Sequence, residues 1–186
     1  MRIEITGTGL DKAEGFLNAF GSRAKKAVTR SVNRTVAGVR TDVVKEVRQE
    51  YAVNAKTVRS ALSVRKATRG SLEAFVDVAG TRLPLIRFAP RPSKPEARRP
   101  KAGVSVMVKK GQRKSVSHAF VARMKSGHVG VFQRSGGTSL PIEEKYSLAV
   151  PQMVARDNVR AKLQENALAR FEKNLDHEMG REMGVK

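Results

Sequence analysis

The sequence predicts an α+β fold: a long N-terminal helix packed on a small, mainly antiparallel sheet, followed by a C-terminal helix. Three observations carry that prediction. Apolar residues recur at helical spacing before residue 62, alternate with period two at 72–79 and 104–133, and return to helical spacing from Pro151. At 186 residues the chain has room for one domain, 1–186, with a modest core.

Each element has its own local reason. "RIEIT" alternates Ile3 and Ile5 with polar neighbours and reads as a strand over 3–6, ended by a turn at Gly7–Gly9. Asp11 then stands as a helix cap, with Glu14 three residues later as its capping-box partner. No proline intervenes from there to Glu50. Ala13, Phe16, Phe20 and Ala24 form one apolar stripe. Val28, Val32, Val36, Val39, Val43 and Val47 form a second, rotated from the first. The register changes near Gly21–Ser22, which predicts one long bent helix, with two helices parted there as the alternative. Valine is a weak helix former, so the second stripe depends on tertiary burial.

In "YAVNAKTVRSALSV", Asn54 is placed to cap a short helix Ala55–Leu62. Strands over 63–68 and 72–79 follow, turning at Arg69–Gly70, with Val76 and Val78 on one face and Phe75 on the other. The segment "RPSKPEARRPKAG", residues 91–103, holds three prolines, five Lys/Arg and one acid. It reads as a mobile basic loop that orders when a partner pairs with it. Strands over 104–109, 119–124 and 128–133 complete the sheet, with Gly111 in a basic turn and a hairpin turning at Ser126–Gly127. The C-terminal helix, 151–183, begins on a proline suited to a first turn. It carries Leu163, Ala167, Phe171, Leu175 and Met179 four apart, joined by Leu168.

The net charge is +20, and it is unevenly placed. Residues 1–60 contribute +6, residues 61–140 contribute +14, and residues 141–186 balance to zero. An excess of this kind favours a polyanion or an acidic protein partner. Along the first helix, Arg23, Lys26, Arg30 and Arg34 form one row, either a plain solvated face or a face opposed to nucleic acid or an acidic subunit. Around the proline-rich loop, Arg91, Lys94, Arg98, Arg99, Lys101, Lys109, Lys110, Arg113 and Lys114 are opposed by Glu96 alone. That cluster either faces DNA or an acidic surface, or stays free in solvent.

Little in the chain suits catalysis. With no cysteine there is no disulfide, thiolate nucleophile or cysteine-ligated metal. His118, His128 and His177 have no metal-ligand spacing. Glu73 and Asp77 share a strand face without a partner arrangement, and Glu143–Glu144 begins a short turn or helix. Gly136–Gly137 lacks the lysine and hydroxyl of a phosphate loop. We therefore expect no enzyme activity and no cofactor. No apolar segment approaches membrane-spanning length and the N-terminus lacks a signal-peptide core, so we expect a soluble protein with no membrane partner. Zinc-finger spacing and an aromatic ladder for single strands are also missing, which leaves sequence-independent backbone contact as the form of any DNA binding.

Three stretches in order carry a resemblance: "KKAVTRSVNRTVAGVRTDVVKEVRQEYAVNAKTVRSAL", "VSVMVKKGQRKSVSHAFVARMKSGHVGVFQR" and "LPIEEKYSLAVPQM". Over roughly residues 20–155 the chain resembles the minor tail protein Z family of phages and prophages. The residues that match include Asn33, Arg34, Tyr51, Lys56, Arg59, Ala119, Phe120, Pro141, Ile142 and Pro151. Where that family often has a glycine–proline pair after the tyrosine, this chain has Ser147 and Leu148. The resemblance implies a virion protein at the tail or head–tail junction, made in the bacterial host cytoplasm. Such a protein completes the head-proximal end of the tail for head joining and genome delivery. It implies other tail or neck proteins as partners, a homo-oligomeric ring about the tail axis by analogy, and non-specific contact with genomic DNA. The alternative is a basic, non-enzymatic nucleic-acid-binding protein.

The resemblance also marks a protein interface at His128, Gly130, Phe132, Arg134, Tyr146 and Met153. In "SGHVGVFQR", Gly127 suits a tight turn and Gly130 leaves room for close approach. His128 and Phe132 share one strand face across Gly130, so Phe132 either packs under the long helix or is offered to a neighbour, and the stretch reads as an assembly edge rather than an active site. Contacts with DNA or an acidic partner are expected from Arg23, Lys26, Arg30, Arg34, Arg98, Arg99, Lys109, Lys110, Arg113 and Lys114.

Overall fold

The computed structural model of the protein describes residues 2–3, 9–96, 98 and 100–184. The fold is α+β, with a long N-terminal helix, small antiparallel sheets and a C-terminal helix. By its contacts the chain forms two compact units interleaved along the sequence: Met1–Glu46, Arg59–Ala79 and Val154–Lys186 in unit 1, Val47–Val58 and Gly80–Met153 in unit 2.

Unit 1 is built on α1 (Gly9–Glu50) as far as Glu46 and on α4 (Asp157–Glu182). Helix α1 begins two residues before Asp11, which lies in its first turn rather than at the cap. At Gly21 the backbone leaves helical geometry, with φ 52° and ψ −121°, a conformation that glycine adopts without a Cβ penalty. This break is sharp. In a straight helix Lys12 and Ser31 would stand about 28 Å apart at 1.5 Å per residue. Instead Lys12 pairs with Asp176 while Ser31 Oγ donates to the Asn174 carbonyl at 3.1 Å, so both segments of α1 lean on the same two turns of α4. The alternative of two helical segments therefore describes α1 better than a gentle bend.

The apolar stripes meet as their spacing requires. Ala13, Phe16, Ala24, Ala27 and Val28 of α1 pack with Phe171 and Leu175 of α4. Phe20, expected in the first stripe, is half exposed, although its ring stays 5.0 Å from that of Phe16. Polar contacts continue the helix pair: Asn174 donates to Thr35 Oγ1 at 3.0 Å, and Arg170 Nη2 donates to both Asp42 oxygens at 3.0 and 2.8 Å. Gly38 lets Arg170 cross α1, since a Cβ there would lie 2.3 Å from its Cδ.

A three-stranded sheet completes unit 1 in the order β1-β3-β2, with β1 (Arg2–Ile3), β2 (Leu62–Arg65) and β3 (Phe75–Val78). Residues 4–6 of the expected first strand lie outside the described residues. The register sets Leu62 opposite Val78 and Val64 opposite Val76. Asp77 is taken up by Arg65 across the strands at 2.7 Å. Asn33 of α1 clasps the chain just after β2: its Nδ2 donates to the Ala67 carbonyl at 3.0 Å and its Oδ1 accepts the Ala67 N–H at 2.8 Å.

Helix α2 (Ala55–Ser60) follows the predicted cap, as the Asn54 side chain accepts the Lys56 N–H at 2.8 Å. It ends earlier than predicted because Leu62 joins β2, where strand pairing buries it.

Unit 2 holds two further sheets rather than a continuation of one. The first pairs β4 (Val104–Val106) with β5 (Lys114–Val116) through the basic turn at Gly111. The second has the order β6-β7-β8, with β6 (Ala119–Arg123), β7 (Val129–Arg134) and β8 (Ile142–Glu144). Strand β8 occupies the stretch read as a turn or helix at Glu143–Glu144. The core includes Tyr51, Phe88, Val104, Val121, Val131 and Met153. The loop 91–103 is tied at its ends: Arg91 exchanges backbone hydrogen bonds with Ser105 at 2.8 and 3.0 Å, and Gly103 N–H donates to the Pro100 carbonyl.

The expected helix 151–183 is divided. Its start is α3 (Val150–Val154), and α4 begins only at Asp157 because Arg156 takes an extended conformation with φ −66° and ψ 136°.

Candidate functional site

The second sheet of unit 2 explains why "HVGVF" is built as it is. Strand alternation places His128, Gly130 and Phe132 along one face of β7. The β7–β8 register sets Glu144 opposite Phe132, so its side chain lies on that same face. The Glu144 carboxylate crosses Gly130: one oxygen is 2.8 Å from His128 Nε2 and the other accepts the Tyr146 hydroxyl at 2.8 Å. A Cβ on Gly130 would sit 2.5 Å from Glu144 Oε1 and 3.0 Å from the Phe132 ring. Only glycine leaves this passage open. The hairpin itself turns at Gly127, which has φ 83° and donates to the Met124 carbonyl at 2.9 Å.

Hydrogen bonding moves two acidities here. Donation to Glu144 raises the Tyr146 phenol above its ordinary value, because that hydrogen bond holds the hydroxyl in its protonated form. Hydrogen bonds from Ser135 and then Lys145 hold the Glu143 carboxyl below its ordinary value. The two oxygens of Glu144 thus tie the His128 and Tyr146 side chains to one carboxylate.

Of the six interface residues expected from the sequence, three are exposed and three are buried. His128, Arg134 and Tyr146 reach solvent, and Leu140, unexpected, is 67% exposed beyond the β7 end. Gly130, Phe132 and Met153 are buried. Phe132 is covered within unit 2, 6.4 Å from the Phe120 ring and edge-on to His128. Arg134 stacks over Phe120 at 5.4 Å.

The basic candidates divide as well. On α1, Arg23 and Lys26 are exposed, whereas Arg30 and Arg34 turn to acids of α4. Arg34 Nη1 lies 3.0 Å and Arg30 Nη1 3.5 Å from Glu178, and Arg30 also reaches Glu182 at 3.4 Å. Together with Lys66 and Arg181 they line an open cleft of about 480 Å³ in unit 1. In unit 2, Lys109 pairs with Glu50 at 3.5 Å, and Arg113 Nη1 donates to the carbonyls of Ala89 and Ser105 at 3.0 and 3.1 Å. Arg98, Lys110 and Lys114 are exposed, and Arg99 lies outside the described residues. No cluster of three metal-ligating side chains occurs among the described residues.

Glu178, Lys66 and Arg181 were not singled out from the sequence. One signal was available: Glu178 falls three residues after Leu175, on the face that the stripe from Leu163 assigns to the core.

The chain belongs to the prophage minor tail protein Z (GPZ) family, which matches residues 8–185. It is accordingly a phage minor tail protein, a virion component of a generally non-enzymatic structural family whose partners are other tail proteins. Neither a curated protein nor a solved structure matches it. No helix among the described residues is long and apolar enough to cross a membrane.

Proposed function

We propose that the protein completes the head-proximal end of the phage tail, for head joining and genome delivery, through protein–protein contacts. The family match over residues 8–185 carries this reading. The exposed Tyr146, hydrogen-bonded to the Glu144 that also meets His128, supports it, because an aromatic group with fixed polar neighbours suits a contact between proteins. Gly130 leaves room on that surface for the Glu144 carboxylate, and Phe132 packs edge-on against His128. A ring of copies about the tail axis is part of the proposal. Deletion of the gene should leave unfinished tails, and complementation should restore them. Normal tails in the deletion strain would overturn the reading, and imaging that finds one copy per virion would remove the ring.

A non-specific contact with genomic DNA is the second reading. It is favoured by Arg98, Lys110 and Lys114, which have no ion pair among the described residues. Reversing the charge of Arg98, Arg99, Lys109 and Lys110 should leave the fold intact and weaken salt-sensitive association with duplex DNA. Unchanged association would remove this reading.

A further inference from the structure

Glu178 is fully buried beneath the unit 1 cleft, and three guanidiniums surround it. Arg34 stands at 3.0 Å, Arg30 and Arg181 at 3.5 Å. Each arginine meets Glu178 through its Nη1 and none of these contacts is aligned as a hydrogen bond, which leaves the other guanidinium N–H groups able to meet a further acceptor. Arg30 gives one N–H to Glu182. Lys66 has no ion pair among the described residues. Four cations against the carboxylates of Glu178 and Glu182 leave a surplus of two positive charges in one concave space.

That arrangement is held in place rather than accidental. The two-point clasp of Asn33 on Ala67 fixes the chain beside Lys66 against α1. Glu178 gathers the arginines from α1 and α4 around one point. Unspent donors on fixed guanidiniums match the planar, two-oxygen face of a carboxylate. A duplex suits the cleft less well. Its phosphates form convex rows that call for cations spread along a surface rather than gathered in one concave space.

We propose that this cleft binds an acidic segment of a partner polypeptide, seating one or two Asp or Glu carboxylates against Arg34, Arg181 and Lys66. The proposal stands whether or not the protein acts at the head-proximal end of the tail. It is tested on the full chain with a fluorescent peptide of alternating Asp and Glu, a duplex oligonucleotide of equal charge, and inorganic phosphate. The cleft variant is Arg34→Gln/Lys66→Gln; the control, Lys125→Gln/Lys173→Gln, removes the same charge from exposed sites elsewhere.

The peptide should bind in a salt-dependent manner, and the cleft variant should weaken it by about fivefold or more while the control does not. Addition of peptide should also shift the NMR signals of the Ala67 amide and the Asn33 side chain. Lys66→Gln alone, at an exposed position, should keep the wild-type melting temperature and still lose affinity. Equal loss in cleft variant and control would reduce the effect to general charge attraction and overturn the proposal. Tighter duplex binding through the same residues would overturn it too, by making the cleft a nucleic-acid contact.

Discussion

In unit 1 two cations of α1, Arg30 and Arg34, meet acids carried by α4, whereas in unit 2 the cations around the basic loop meet one acid, backbone carbonyls or solvent. Arg30 and Arg34 find Glu178 and Glu182, more than 140 residues away in sequence. Lys109 finds Glu50, and Arg113 is used to pin the strands beside it through Ala89 and Ser105. The two stretches look alike when charges are counted along the chain. The difference teaches that charges counted along the chain do not show which cations a distant acid will gather into one place. Of the cations singled out from the sequence, Arg23 and Lys26 of α1 and Arg98, Lys110 and Lys114 of unit 2 have no ion pair among the described residues.

The largest effect should come from the packing that brings α4 to α1. Leu175→Ala, at a fully buried position, is expected to cost about 2–5 kcal/mol in urea denaturation. Lys110→Gln, exposed in unit 2, should stay within about 0.5 kcal/mol. A similar cost for both would break the picture of a tightly packed helix pair.

Paired charges sharpen the comparison directly. Arg170→Ala should cost about 1.5–3 kcal/mol, because it strips a donor from the mostly buried Asp42. Lys109→Ala removes an exposed partner of Glu50 and should cost no more than about 1 kcal/mol. If denaturation gives the reverse order, burial is not what separates the two units' ion pairs.

A smaller effect is expected in the second sheet of unit 2. Gly130→Ala should displace Glu144 and cost about 1 kcal/mol, the worth of a hydrogen bond, with the fold retained. The His128 and Tyr146 resonances should move in its NMR spectrum. Unmoved resonances would show that Glu144 does not cross that residue.

The smallest effect is a titration. Because the folded-state pKa of Tyr146 is raised, its hydrogen bond to Glu144 contributes below the ordinary tyrosine range and is lost as pH rises through the raised value. Glu144→Gln should bring the Tyr146 midpoint back down toward 10.0, read by NMR of the tyrosine ring carbon bearing the hydroxyl. A midpoint that does not fall would remove Glu144 as the cause.

Much of the candidate site was legible, though not its use. Gly130 could be read as a place of close approach from "HVGVF" alone, but the group that approaches is Glu144, brought by a strand the sequence did not predict. Three charged or polar residues in "IEEKY" masked β8, whose pairing with β7 supplies what local alternation could not. Phe132 read equally well as an offered or a packed side chain, and only its neighbours Phe120 and His128 decide for packing.

The sequence by itself determined what depends on neighbours a few residues apart. The valine stripe, the break at Gly21, the Asn54 cap, the Gly127 turn and the α4 stripe all follow from local spacing and backbone freedom. Tertiary structure alone decided the division into three sheets, the folding of both α1 segments onto α4, and the burial of Glu178 among arginines. Those features join residues far apart along the chain, and their energies come from burial and charge pairing that exist only once the distant segments meet.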